Sequence, residues 1–83
     1  MASKENPGKF DCYNNALPDE PIFVLLARDP EAPGLVHRWA YGREDMIARG
    51  ERPASDRAMV EEAHKCAEDM RAWRERNDGK WRK

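Results

Sequence analysis

Residues 55–77, SDRAMVEEAHKCAEDMRAWRERN, carry the most regular pattern in this 83-residue chain. Steps of three and four residues place side chains along one face of an α-helix. Apolar side chains recur here in such steps, at Met59, Ala63, Cys66, Met70 and Trp73. Ser55 precedes them as a predicted N-cap, because its hydroxyl can accept from the free N–H groups of the first turn. The pattern predicts a helix over about 55–77 with this apolar face in the core.

A second helix is predicted over about 31–49. Asp29, Pro30 and Glu31 form a helix-start signal. The broad apolar face that follows contains Leu35, Val36, Trp39, Ala40, Met46 and Ile47. Arg49 and Gly50, a base and then a glycine, are typical of a helix C-terminus. Because only a short link separates the two helices, we expect an antiparallel hairpin with Trp39 and Trp73 in its core.

The apolar run at 22–26, IFVLL, admits two interpretations. Asp19, Glu20 and Pro21 favour a short helix over about 20–28, with Asp19 as its N-cap. A run of this length also fits a buried strand. Its one visible strand partner is 9–13, and an isolated strand pair is marginally stable in water. The sequence therefore predicts an all-α, three-helix arrangement in which residues 22–27 form the third wall.

Length and charge indicate one small domain. We expect a disordered leader at 1–9, a single helical domain at 10–78 and a basic flexible tail at 79–83. Fifteen Lys and Arg against 16 Asp and Glu give a net charge of -1, unlike a strongly basic nucleic-acid binder. One basic patch lies near the C-terminal end. Its candidate nucleic-acid-binding residues are Arg71, Arg74, Lys80, Trp81, Arg82 and Lys83.

Residues that could support chemistry are few and scattered. His64 and Cys66 would lie about 200° apart around a helix, so they cannot share one metal ion, and no zinc-site spacing is present. Cys66 is expected to behave as a small buried hydrophobe. No spacing marks an activated nucleophile, an acid–base pair or a phosphate loop. We therefore expect no enzymatic activity, catalytic residue, metal or cofactor.

The sequence also indicates where the protein is located and which residues could bind a partner. No signal peptide follows Met1 and no apolar run approaches the ~20 residues that cross a bilayer, so we expect a cytoplasmic protein with reduced thiols and no membrane contact.

His37, Arg38 and Tyr41 are the candidate protein-binding surface, on the side of their helix away from Trp39, because aromatic and arginine side chains are enriched at binding hot spots. A homodimer through residues 22–27 would compensate for a small core.

Several short strings of this sequence, spread over most of the chain, resemble strings in one group of proteins. The strings CY (12–13), ALPDEP (16–21), FVLLARDP (23–30), AP (32–33) and WA (39–40) resemble short proteins of temperate phages and prophages of proteobacteria. PASDR (53–57), EA (62–63), CA (66–67), Met70 and WR (73–74) extend the resemblance over about 10–76.

This resemblance implies a phage accessory gene, a class whose small products often bind a host or phage macromolecule. It brings no catalytic residue. We therefore expect a non-enzymatic accessory protein in the cytoplasm of a bacterial host, acting by binding a host or phage protein. The alternative is a small nucleic-acid-binding module that uses the basic C-terminal helix and tail.

Overall fold

The computed structural model describes residues 3–77 and is organised around two long helices. Helix α1 spans Cys12–Asn15, α2 spans Ala32–Ala48 and α3 spans Arg57–Arg76, with a 3₁₀ turn over Ala54–Asp56 before α3. Within 3–77 there is no strand. The predicted all-α class and the helical hairpin are confirmed. None of these helices is long and apolar enough to pass through a bilayer.

Helices α2 and α3 pack side by side and run antiparallel. His37, early in α2, contacts His64 in the second half of the hairpin, whereas Arg43 contacts Asp56 at the start of α3. The core lies between them. Ala40, Val60 and Ala63 form its buried cluster, and Val36 and Ile47 pack against it. Small alanine side chains let the two backbones approach closely.

The buried face of α3 is rotated relative to the predicted one. Val60, Ala63 and Ala67 are buried. Of the predicted seam only Ala63 is fully buried, and the rest are half-buried: Met59, Cys66, Met70 and Trp73. Both series step by three and four residues, so spacing does not distinguish them. The series with the smaller side chains faces α2.

The predicted core position of Trp39 is wrong. Its side chain is 40% exposed, and the guanidinium carbon of Arg43 lies 5.0 Å from the centroid of its ring. Leu35 and Met46 are exposed as well. In the described part of the chain α3 is the one long helix beside α2. It covers only the part of the broad apolar face that faces it.

The ends of α2 follow local sequence signals. Pro33 lies in the first turn, where its missing N–H leaves no hydrogen bond unmade. Asp29 accepts a hydrogen bond of 3.0 Å from the backbone N–H of Glu31, just before the helix. Beyond the other end, Gly50 has a φ of 77° and donates its N–H to the carbonyl of Ile47. Glycine adopts this left-handed conformation without a Cβ clash.

Two glycine substitutions should therefore have opposite effects. Gly50→Ala is expected to lower the free energy of unfolding by about 1 kcal/mol, because alanine is strained at positive φ. Gly42→Ala, in the interior of α2 where an added Cβ meets nothing within 4 Å, should raise it by about 0.5–1 kcal/mol. Urea unfolding followed by circular dichroism measures both. A stabilising Gly50→Ala would contradict the assigned helix end.

Asp56, not the predicted Ser55, is the residue at the N-terminal boundary of α3. Its side chain makes no capping hydrogen bond. Instead its carboxylate accepts from Arg52 Nε at 2.7 Å and from Arg43 Nη1 at 3.4 Å, while Ser55 lies inside the 3₁₀ turn. Asp56 thereby joins α2 to the connection. The Arg52 hydrogen bond lowers the pKa of Asp56 below its usual value of 3.8.

This lowered pKa predicts a loss of stability in acid. A carboxylate with a lower pKa in the folded than in the unfolded chain stabilises the fold above its unfolded pKa. The contribution disappears as the pH falls through the folded value. Unfolding at pH 7 and pH 2.5 should therefore show a smaller pH effect in Asp56→Asn than in the wild type. Arg52→Gln, which removes the hydrogen bond that lowers the pKa of Asp56, should reduce the pH effect in the same direction.

The predicted short helix over 20–28 is wrong, and so is the strand alternative. Residues 20–26 form neither helix nor strand, and 27–28 lie in a turn. The Glu20 N–H donates to the carbonyl of Leu17, and the Glu20 carboxylate accepts from the Leu17 N–H at 3.0 Å. This turn uses the groups that a first helical turn would need. The short helix lies instead at Cys12–Asn15, where the Asp11 carboxylate accepts from the Tyr13 N–H.

The N-terminal segment forms no regular element before α1. In residues 3–9 there is neither helix nor strand, and Ser3 and Asn6 exchange two backbone hydrogen bonds of 3.1 Å. The predicted disordered leader and the domain bounds at 10–78 stay predictions. The predicted tail at 79–83 lies outside the described residues.

Candidate functional site

Two histidines join the long helices through their side chains. The Nδ1 atom of His37 on α2 lies 2.6 Å from the Nδ1 atom of His64 on α3. Their ring centroids are 4.9 Å apart, with 34° between the ring planes. The side chains are only 20% and 25% exposed. We call His37 and His64 the histidine pair.

Each ring of the histidine pair meets a carboxylate from the opposite helix. His37 Nε2 lies 3.3 Å from Glu68 Oε1, and His64 Nε2 lies 3.3 Å from Glu44 Oε1. Glu44 follows His37 by seven residues and Glu68 follows His64 by four, so each helix presents one histidine and one glutamate on the same face. The antiparallel packing then connects them crosswise.

Tyr41 lies against the histidine pair. Its ring centroid is 4.8 Å from that of His64 at an interplanar angle of 57°, and 6.2 Å from that of His37 at 26°. Tyr41 itself is exposed. Its ring covers part of the pair while its outer edge meets solvent.

The contacts with the two carboxylates favour one tautomer of each ring. A carboxylate accepts hydrogen bonds and does not donate them, so each Nε2 next to one is expected to carry the hydrogen. In a neutral ring the Nδ1 atom then holds a lone pair. Two such lone pairs would face each other across 2.6 Å. A cation at this point removes the repulsion, and one proton on either Nδ1 makes an N–H···N hydrogen bond.

Comparisons with protein-family models, curated proteins and solved structures found no match. The site is therefore interpreted from its own chemistry. Among the described residues there is no group of three or more His, Cys, Asp and Glu side chains placed to hold a metal ion.

The predicted protein-binding residues do not share one exposed face. Arg38 is exposed, but His37 turns toward α3 and is half-buried. Tyr41 is exposed and lies on His64. The sequence placed His37 and Tyr41 away from the helix interface and Trp39 inside it. The structure has the reverse arrangement, because α3 packs along the side of α2 that carries Val36, Ala40 and Ile47.

The predicted nucleic-acid-binding residues are described only in part. Arg71 Nη1 lies 3.5 Å from Glu68 Oε2, and Arg74 Nη1 donates to the backbone carbonyl of Arg28 at 2.7 Å. Both guanidinium groups thus contact acceptors of this chain. The other four lie outside the described residues: Lys80, Trp81, Arg82 and Lys83.

The largest set of neighbouring exposed apolar side chains lies in residues 17–26, which we call the apolar segment. Five large apolar side chains there are between 47% and 80% exposed: Leu17, Ile22, Phe23, Val24 and Leu26. Leu25 is half-buried. The segment therefore turns one residue toward the protein and most of its bulk toward solvent.

An open groove lies between α3 and the end of the apolar segment. Its volume is about 570 Å³. Leu25, Leu26 and Ala27 line one side, and Cys66, Met70 and Trp73 line the other. The Arg74 contact to the Arg28 carbonyl holds the chain across α3 beside it. Residues 25–28 thus lie beside α3, but the predicted third wall over 22–27 is wrong, since Ile22, Phe23, Val24 and Leu26 are exposed.

The two thiols differ in environment and should differ in reactivity. Cys12 is exposed, whereas burial raises the pKa of the Cys66 thiol. The thiolate is the nucleophile, so a raised pKa slows alkylation. Iodoacetamide at pH 7.5 should therefore modify the exposed Cys12 faster than Cys66, as followed by mass spectrometry. The unfolded chain should show similar rates, and equal rates in the folded protein would contradict the burial of Cys66.

Proposed function

We propose that this chain is a non-enzymatic phage or prophage accessory protein that binds a protein partner in the cytoplasm of its bacterial host through the apolar segment. The phage context is supported by the resemblance over about 10–76. The binding surface is supported by one observation, the placement of the large apolar side chains outside the core.

This placement is unusual for a folded domain. Within 3–77, Val60 is the one large side chain that is fully buried, and the other buried hydrophobics are alanines. The five exposed side chains of the apolar segment follow one another closely along the chain. Neighbouring exposed apolar side chains of this kind mark interaction sites in soluble proteins. Covering them with a partner would remove five large apolar side chains from water.

The acidic residues beside the apolar run indicate what kind of surface the partner would have. Asp19 and Glu20 are exposed directly before its apolar run. A protein with an apolar groove and a basic rim would complement both features, since charge complementarity orients a complex and accelerates its formation. Because residues 20–26 form neither helix nor strand, they can follow the shape of such a groove.

Affinity capture from a lysate of the host with matched variants tests this proposal. The apolar-segment variant carries Ile22→Ser and Val24→Ser, both at exposed positions. The control variant carries Leu35→Ser and Met46→Ser, at exposed apolar positions on α2 outside the segment. We expect one protein to be retained by the wild type and the control and lost from the apolar-segment variant. With the purified partner, the variant should bind at least about tenfold more weakly, or about 1.4 kcal/mol.

Circular dichroism of each variant checks that folding is unchanged. Equal capture by all three proteins would contradict the proposed surface. Capture that disappears after nuclease treatment would instead favour nucleic-acid binding through the basic C-terminal region. Sedimentation equilibrium distinguishes a second copy of this chain as the partner, because a homodimer through the segment would dissociate in the Ile22→Ser, Val24→Ser variant.

A further inference from the structure

We propose that the histidine pair is a binding site for a divalent transition-metal ion, held by the Nδ1 atoms of His37 and His64. This inference is independent of the proposed partner binding. It depends on the two rings, their glutamates and the space between the helices.

The first argument is the orientation of the rings. Histidines that bind metals almost always donate their other ring N–H to a carboxylate, a carbonyl or water, which fixes the tautomer and makes the ligand nitrogen more basic. Glu44 stands in this position for His64, at hydrogen-bonding distance and geometry, and Glu68 Oε1 makes a 3.3 Å contact to Nε2 of His37. The two Nδ1 atoms face each other between α2 and α3, 2.6 Å apart.

The second argument is electrostatic. With both rings neutral, the two glutamates contribute a formal charge of about -2, which Arg71, 3.5 Å from the outer oxygen of Glu68, reduces to about -1. A divalent cation at the Nδ1 atoms would balance the two carboxylates. It would also remove the repulsion between two lone pairs 2.6 Å apart.

The geometry requires the rings to separate and to tilt. Zinc–nitrogen bonds are about 2.0–2.1 Å long, so two nitrogens of a tetrahedral site are about 3.3 Å apart. The present Nδ1–Nδ1 distance is 2.6 Å and the ring centroids are 4.9 Å apart, so the two nitrogens meet almost end to end. The rings would separate by roughly 0.7 Å and tilt until both Nδ1 lone pairs point at the ion. Tyr41 is exposed and can yield to this movement at the surface.

The donor set selects the class of metal. Neutral imidazole nitrogens suit zinc, copper and nickel, whereas magnesium and calcium prefer oxygen. With two protein nitrogens as ligands, water completes the coordination. The site should therefore bind more weakly than a four-ligand structural zinc site, and it should favour copper over zinc and nickel.

Titration of the metal-free full chain with ZnCl₂, NiCl₂ or MgCl₂ tests the proposal. Isothermal titration calorimetry and the melting temperature are the readouts. We expect saturable binding of zinc and nickel at one ion per chain, a rise in the melting temperature and no response to magnesium. His64→Gln and His37→Gln should abolish this binding. Glu68→Gln should weaken it about tenfold or more, because the carboxylate behind the ligand is lost.

Nitrogen-15 NMR of the histidine side chains gives a readout that does not depend on variant folding. In the wild type, zinc should shift the Nδ1 resonances of both histidines and leave Nε2 as the protonated nitrogen. The proposal is overturned if 1 mM zinc moves neither resonance, which would leave the pair holding a proton only. It is also overturned if binding persists in His64→Gln but disappears in a Cys12→Ser, Cys66→Ser variant.

Discussion

Ala63→Leu is expected to lower the free energy of unfolding by about 2–3 kcal/mol, because it forces three extra carbon atoms into the contact between α2 and α3. Ala63 is fully buried beside Ala40 and Val60. The hairpin has no other long helix against which it could repack within 3–77. For a domain of this size the melting temperature should fall by roughly 10–20 °C.

The control for this change is Ala58→Leu. Ala58 lies on the same helix but is exposed, so the identical substitution should alter the free energy of unfolding by less than about 0.5 kcal/mol. Thermal and urea unfolding followed by circular dichroism compare the two variants. Similar destabilisation by both would mean that the α2–α3 contact is not the core.

Val60→Ala is expected to have the second large effect, a loss of about 2 kcal/mol in the free energy of unfolding. The substitution removes two methylene-sized groups, each worth about 0.8 kcal/mol when buried, and adds the cost of the cavity. Val60 is 1% exposed and is the largest side chain in the buried cluster. Few other contacts compensate for its loss.

The same substitution at an exposed valine provides the control. Val24→Ala, in the apolar segment, should change the free energy of unfolding by less than about 0.5 kcal/mol. It should nevertheless weaken binding to the proposed partner. A stability loss at Val24 as large as that at Val60 would show that the apolar segment contributes to the folded core rather than to a binding surface.

The hairpin was predictable because its signals are local. Pro33 near the start of α2 and Gly50 after its end act through their own backbone geometry. The observed helices, 32–48 and 57–76, differ from the predicted bounds by one or two residues at each end. Such signals do not depend on what packs against the helix.

The apolar run at 22–26 could not be assigned in the same way. Its secondary structure depends on whether another element covers it and on a side chain outside the run. The Glu20 carboxylate closes a turn on Leu17, which competes with the helix start that Asp19 and Pro21 suggest. For Trp39, the helical pattern predicted a broad apolar face but not how much of it α3 would cover.

The histidine pair was missed because spacing was considered within one helix. His37 and His64 are 27 residues apart, and neither has a ligand partner at helical spacing in a familiar motif. A signal was present in the hairpin itself. His37 lies 13 residues before Gly50 and His64 lies 14 residues after it. In an antiparallel pair, residues at similar distances from the turn lie opposite each other.

The contacts of His37 with Glu68 and of His64 with Glu44 fix how far α3 is displaced along α2. Sliding α3 along α2 by one turn, about 5.4 Å, would still turn an apolar side chain of α3 toward α2, because Val60, Ala63 and Ala67 repeat at turn spacing. The same translation would carry His64 away from both His37 and Glu44. The repeating apolar side chains alone therefore specify the offset of the helices less strictly than the polar cluster does, because both histidines and both glutamates meet at one offset only.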